Sequence, residues 1–194
     1  MTRWEPNASG RLQRAALELY SERGYDQTTV AEIAKRAGLT ERTYFRYFAD
    51  KREVLFYGSD QLQERLVAGI ASAPDGLSPL GVVGAALEAA AAPFEEAGDF
   101  PRRRQAIIAA NPELQERELI KLAALAAALA DALRRRDVSD PAASLAAEAG
   151  IAVFKIAFLR WAGQPDDSGG QTLAQLIRQS LAELKTVAAG AKPD

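Results

Sequence analysis

Apolar residues recur at helical spacing along most of this chain, and that pattern predicts an all-α fold. Leu12, Ala15, Ala16 and Leu19 mark a first amphipathic helix, with Ser9 as its cap and Gly24 as its stop. Thr29 followed by Glu32 is a capping box: the hydroxyl satisfies a free amide of the first turn while the carboxylate reaches back. Val30, Ile33, Ala34 and Ala37 then supply one buried face, and Gly38 can take the left-handed conformation that ends a helix. Leu39 plugs the corner, and Thr40 caps a second short helix that carries Glu41 to Phe48. Asp50 with Glu53 is a further capping box, which puts Lys51 on the first turn of a helix running toward Ile70.

Beyond the turn signal Pro74-Asp75-Gly76, five further helical segments follow. They are Pro79 to Ala97, Arg102 to Ala110, a long helix opened by Asn111-Pro112 through Leu133, Pro141 to Ala162, and Thr172 to Ala188. About nine helices are expected in all. Glu113–Arg117 and Glu118–Lys121 are spaced to pair along the long helix. The last helix carries an apolar stripe of Leu173, Leu176, Ile177, Leu181, Leu184 and Val187. The helix before it offers Ala143, Ala146, Ala147 and Gly150, small residues that let backbones approach closely. Two such helices from each of two chains would form a four-helix bundle across a two-fold axis. The same stripes would equally close one chain's own core.

Composition narrows the chemistry. The 194 residues contain no histidine and no cysteine, which removes the commonest general base, the commonest metal ligand and any disulfide framework. Only carboxylates, lysines and tyrosines remain for acid–base work, so no enzyme and no cofactor are expected. The opening MTRWEPNASG lacks an apolar leader core, and no apolar run is read as long enough to cross a membrane. A cytoplasmic protein without a membrane partner is the expectation. Residues 1–56 hold ten Lys and Arg against eight Asp and Glu, a net charge of +2 within a chain of net −2. Binding to a polyanion would therefore need a local patch from Arg42, Arg46, Lys51 and Arg52, with Arg3 and Arg11 as an arm.

The run from Arg11 to Phe56, RLQRAALELYSERGYDQTTVAEIAKRAGLTERTYFRYFADKREVLF, resembles the DNA-binding domain of TetR-family transcriptional regulators. The resemblance implies a helix-turn-helix head at residues 1–56 and a helical effector-binding and dimerisation body at residues 57–194. It also implies a homodimeric repressor that binds a palindromic double-stranded operator and is released by a small effector. An effector-independent DNA-binding or activating dimer is the alternative. Carried onto this sequence, Thr28, Thr29 and Thr40 match positions at helix starts, where phosphate is bound. Glu41, Arg42, Thr43 and Phe45 match positions facing base edges, and Tyr47 and Lys51 match phosphate contacts. Tyr44, in the same helix, stands where the family commonly has an aliphatic residue. The resemblance also assigns the small-residue and leucine stripes (Ala143, Ala147, Gly150, Leu173, Leu176, Ile177, Leu181 and Leu184) to the dimer interface.

An effector pocket, if the body has one, would draw on the large side chains that exceed what alanine packing needs. These are Phe94, Phe100, Ile107, Ile108, Phe154, Phe158 and Trp161, with Lys155 beside them as an anchor for an acidic group. The same set at helical spacing reads equally as core. The segment RRRQAIIAANPELQERELIKLAALAAALADALRRR resembles the body of the TetR subgroup related to the mycofactocin-system regulator. That resemblance implies a lipophilic or amphipathic effector, a long-chain acyl-CoA among the candidates.

Overall fold

Among residues 7–164 and 170–190, which the computed structural model describes, the chain forms eleven helical segments and no strand. In chain order they are α1 (Ala8–Arg23), α2 (Val30–Arg36), α3 (Glu41–Tyr47), α4 (Glu53–Phe56), α5 (Ser59–Ala71), α6 (Pro79–Ala89), α7 (Ala92–Glu96), α8 (Phe100–Ala109), α9 (Pro112–Arg134), α10 (Asp140–Ala162) and α11 (Leu173–Ala188). Nine of these have seven residues or more, so the all-α expectation and its helix number hold. Arg3 lies outside the described residues.

Local chemistry accounts for the places where helices start and stop differently from the sequence pattern. The cap of α1 is Asn7, whose Oδ1 accepts the Gly10 amide at 3.1 Å; Ser9 is already inside the helix. The single helix expected from Lys51 toward Ile70 is broken, because Tyr57 is extended and Gly58 has φ +94°. Asp50 serves as a cap by accepting the amides of Arg52 and Glu53 at 2.8 and 3.2 Å. The Glu53 carboxylate turns instead to Arg117, at 2.6 Å. Pro93 similarly divides the helix expected from Pro79 to Ala97 into α6 and α7, since a proline ring inside a helix removes one hydrogen bond and collides with the carbonyl four residues back.

The contacts divide the chain into two units. The first runs through Ser59 and also takes Asp99–Leu119. Its apolar core joins Leu12, Leu19, Ile33, Tyr44 and Leu55 to Ile107, Ile108 and Leu114. The first compact unit therefore extends beyond residues 1–56: α8 and the first turns of α9 complete it. Polar contacts reinforce that closure. Arg104 Nε donates to the Leu55 carbonyl at 2.6 Å, its guanidinium stacks 5.0 Å from the Phe56 ring centre, and Glu118 sits 3.4 Å away. Glu113 and Glu118 thus pair across elements, with Arg52 and Arg104, in addition to the Arg117–Glu53 pair.

The second unit comprises Asp60–Gly98 and the chain from Ile120 onward. Its centre is a three-helix packing of α6, α10 and α11. A Cβ added at Gly150 would lie 2.3 Å from Val83 Cγ1, and one at Gly84 would lie 2.5 Å from Leu181 Cδ1. These glycines are where the backbones of α10 and α6 come closest to the side chains of their neighbours. Ala143, Ala147, Gly150, Leu173, Leu176, Ile177 and Leu181 are all buried here, and Leu184 packs partly buried against them. Seven of the eight residues assigned to the dimer interface are thus used by this chain's own core, with Leu184 at its edge, which corrects that assignment for those seven. Arg136 closes the end of α5 by donating to the carbonyls of Ile70 and Ala71, both at 3.1 Å. Glu95 Oε1 accepts the Leu173 amide at the start of α11, at 2.8 Å.

α10 also departs from the sequence expectation about membranes. It is 23 residues long with a mean hydropathy of 1.7 over its most apolar window, long and apolar enough to span a bilayer, yet half of that window is buried in the fold.

Gly150→Ala is expected to destabilise the protein even though alanine favours helix by about 1 kcal/mol. Val83 is β-branched and has no easy rotamer to yield, so overpacking of roughly 1–3 kcal/mol should dominate. A thermal melt checks this; an unchanged or raised midpoint would contradict the packing described for α6 and α10.

Candidate nucleic-acid interface

The helix pair α2–α3 is built from local signals that agree with one another. Thr29 and Glu32 form the expected reciprocal box, with the Thr29 amide donating to Glu32 Oε2 at 2.9 Å and the Glu32 amide to Thr29 Oγ1 at 3.3 Å. These Thr29 hydrogen bonds, ahead of the nearby Arg23, hold the Glu32 carboxyl below its ordinary pKa. At the other end, Gly38 has φ +67°, its amide donates to the Lys35 carbonyl, and the Leu39 amide donates to the Ala34 carbonyl at 2.8 Å. That pair of bonds is a Schellman motif, which needs the left-handed residue glycine supplies. The Arg11 guanidinium donates to the Ala37 carbonyl and ties α1 to the same corner. Thr40 then caps α3, accepting the Thr43 amide at 3.2 Å.

α3 sorts its side chains cleanly. Tyr44 and, just past its end, Phe48 are buried, with rings 5.0 Å apart. Glu41, Arg42, Phe45, Arg46 and Tyr47 are exposed, and Thr43 is half-buried. Phe45 is 53% exposed, with one edge of its ring against Tyr44, 5.6 Å between ring centres. The exposed residues at positions 41, 42, 45 and 46 share one face by helical spacing. A guanidinium, a carboxylate and an aromatic ring are thereby presented together, and these chemistries can read guanine, cytosine and the thymine methyl group in a major groove. Arg46 also lies against the neighbouring ring, 5.0 Å from the Tyr47 centroid.

Two of the sequence-assigned contact residues turn inward. Thr28 is buried, and its hydroxyl is engaged by the Gly24 carbonyl at 2.9 Å and the Leu19 carbonyl at 3.4 Å. It closes the turn between α1 and α2 and has no surface to offer a phosphate. Tyr44 is fully buried, with its hydroxyl donated to the Asp50 and Lys51 carbonyls. Both leave the contact set. Thr29, Thr40, Glu41, Arg42, Phe45 and Tyr47 remain at the surface, while Lys51 is half-buried. Arg46, which the sequence places in the local basic patch, lies one turn after Arg42 on the same exposed face.

The candidate pocket residues divide between the two units. Phe94, Phe154, Phe158 and Trp161 gather in the second, with neighbouring ring centres 5.6–5.9 Å apart. Phe100, Ile107 and Ile108 instead belong to the core of the first unit. Lys155 is exposed, one helical step from Phe154 and on a different side of α10. The sequence pattern alone had no means of separating these groups, since an apolar helix face reads the same whichever unit it packs in.

Comparison with known proteins is consistent with this geometry. The profile described as bacterial regulatory proteins, tetR family, matches residues 12–57, and the profile described as the MftR C-terminal domain matches residues 74–189. The transcriptional regulator TcmR of Streptomyces glaucescens is 35% identical over 99 residues, which are 45% of this chain and 44% of that protein. The fatty acid metabolism regulator protein of Bacillus subtilis is 44% identical over 41 residues, 21% of each chain. This chain thus spans less than half the length of these curated relatives. Among solved structures, a TetR-family regulator from Syntrophomonas wolfei superposes with a TM-score of 0.65 at 16% identity, covering 95% of this chain and 96% of that one. The TetR-family repressor FadR of Thermus thermophilus, in complex with lauroyl-CoA, superposes with a TM-score of 0.50 at 25% identity, covering 96% of each chain.

Thr28→Val should lower the melting temperature, because the buried hydroxyl's hydrogen bonding to the Gly24 and Leu19 carbonyls is lost at a cost of about 0.5–1.5 kcal/mol. A variant as stable as the parent would argue that this hydroxyl is free for another partner.

Proposed function

The chain belongs to the TetR family of bacterial transcriptional regulators, and from that premise we propose that it is a homodimeric repressor of a palindromic operator. The observation that carries this is the division of α3 into a buried face and an exposed face of Glu41, Arg42, Phe45 and Arg46. Arg42 reads a guanine through its two acceptors, and Phe45 lies against a thymine methyl group. Thr29, Thr40, Tyr47 and Lys51 hold the phosphates and fix the register. In this reading the protein works in the cytoplasm, beside its DNA.

The dimer face differs from the one the small-residue stripe suggested. On α10, Leu145, Ile156 and Leu159 are 72%, 49% and 46% exposed, and Val187 on α11 is 61% exposed. Leu145, Ala149, Ala152, Ile156 and Leu159 follow a spacing of four and three residues, the seam of a two-helix packing. A second copy of this chain covers that seam, completes the burial of an otherwise half-exposed apolar helix, and sets two reading helices about 34–36 Å apart.

An acyl-CoA is the effector class best supported. The MftR-type body match, and the lauroyl-CoA carried by the Thermus thermophilus FadR structure, both point that way. One observation favours the effector-independent reading. Phe94, Phe154, Phe158 and Trp161 fill space by packing on one another, with four ring contacts along α10 and α7 at 5.6–5.9 Å between centres.

Selection of bound duplexes from a random pool should return a palindrome. Arg42→Ala should then cost about 1–3 kcal/mol and relax preference at one base pair in each half-site. Recovery of no preferred sequence would end the operator reading. Leu145→Asp with Leu159→Asp should give a folded monomer by sedimentation, whereas Leu181→Asp should unfold the second unit; a double variant that stays dimeric would remove the seam. Added lauroyl-CoA should raise the melting temperature and release the selected duplex. No shift and no release would favour the effector-independent dimer.

A further inference from the structure

The turn between α3 and α4 is held by side chains from three directions. The Tyr20 hydroxyl on α1 donates to the Lys51 carbonyl at 2.9 Å. The Tyr44 hydroxyl on α3 reaches the Asp50 and Lys51 carbonyls at 3.2 and 3.4 Å. A peptide carbonyl has two lone pairs, so the Lys51 carbonyl accommodates both phenols. On the other side of the same peptide, the Asp50 carboxylate accepts the Arg52 and Glu53 amides. The Lys51 ammonium lies 4.0 Å from the centre of the Tyr25 ring and donates to the Tyr25 carbonyl at 2.9 Å. Tyr20 and Tyr25 are themselves in edge contact, with ring centres 5.2 Å apart.

We infer that Tyr20 and Tyr44 are positioning residues for DNA binding: their hydroxyls converge on the Lys51 backbone and aim the Lys51 ammonium at a phosphate. The inference rests on the DNA-binding reading above and adds to it the two residues that make the lysine effective. A lysine has a flexible four-carbon stem and about 2 kcal/mol of rotamer entropy to lose when it grips an anion. Here the cost is met in advance. The backbone at Lys51 is tied to α1 and α3, and the stem is laid along the Tyr25 ring. One ammonium proton goes to Tyr25, and two remain for a phosphate. All three tyrosines are buried, so the phenols stay protonated donors: burial, foremost, raises each above the ordinary phenol pKa.

The test compares the parent with Tyr20→Phe, Tyr44→Phe, the double variant and Lys51→Ala in the full-length protein. The first readout needs no DNA. The Lys51 ε-methylene protons should be shifted upfield by the Tyr25 ring in the parent, and that shift should collapse in the Tyr20→Phe/Tyr44→Phe variant. The second is affinity for the selected duplex as a function of potassium chloride concentration. The double variant should lose about 0.9 from the log–log salt slope for each protomer, the signature of one lost phosphate contact. Lys51→Ala should lose the same amount, and combining it with the tyrosine changes should lose no more. An intact ring-current shift in the double variant would overturn the inference, as would a parental salt slope despite a lower melting temperature. A parent that shows the ring-current shift but binds no duplex would sink the DNA-binding reading and the phosphate role together, a result distinct from failure of the clamp alone.

Discussion

The left-handed turn at Gly38 is the constraint on which the exposed face of α3 depends. Its two Schellman hydrogen bonds end α2, and only two residues later Thr40 caps α3, so local backbone chemistry goes far to set the angle between the helices. Arg11 then ties α1 to the Ala37 carbonyl at that corner. With the angle set, Ile33, Tyr44 and Phe48 must point into the core, and Glu41, Arg42, Phe45 and Arg46 must point away from it.

A head this small has little apolar surface to bury, and small domains are correspondingly hard to stabilise. The first unit meets the problem by recruiting Asp99–Leu119. Ile107, Ile108 and Leu114 add apolar area to its core. Arg104 and Arg117 supply partners for the Leu55 carbonyl and the Glu53 carboxylate. An arginine held by a carbonyl, a carboxylate and a ring face has every reason to stay, because burial without those partners would be costly. Burial accordingly pulls the Arg104 pKa below its ordinary value, with Glu118 acting in the opposite direction.

The second unit shows how two apolar stripes on one helix compete for the inside. On α10, Ala143, Ala147 and Gly150 form one stripe, and Leu145, Ile156 and Leu159 belong to another, roughly half a turn away by helical geometry. The stripe of small residues is the one that packs inside, because Gly150 lets α6 come within reach through Val83 and Gly84 lets Leu181 in. The larger leucine and isoleucine side chains are left outside. The same inward face also buries Ile151, Phe154, Phe158 and Trp161, so close backbone approach and large apolar side chains act together on one side of α10. The proposed partner surface is thus the face the monomer could not use.

Sequence by itself determined the local events: the Thr29–Glu32 box, the Gly38 turn, the Thr40 cap and the ends of α9, α10 and α11 are set by residues within a few positions of one another. It also determined the identities on the exposed face of α3, since helical spacing alone groups Glu41, Arg42 and Phe45. Only the tertiary structure decided that Thr28 and Tyr44 donate inward, that α8 completes the first unit, and which stripe of α10 is core. Periodicity says that a face is apolar or that a hydroxyl exists, but what covers the face or accepts the proton depends on how other elements pack. For Thr28 and Tyr44 the acceptors are in neighbouring turns, four to nine positions away, and for Tyr20 and Arg104 they are Lys51 and Leu55, tens of positions away.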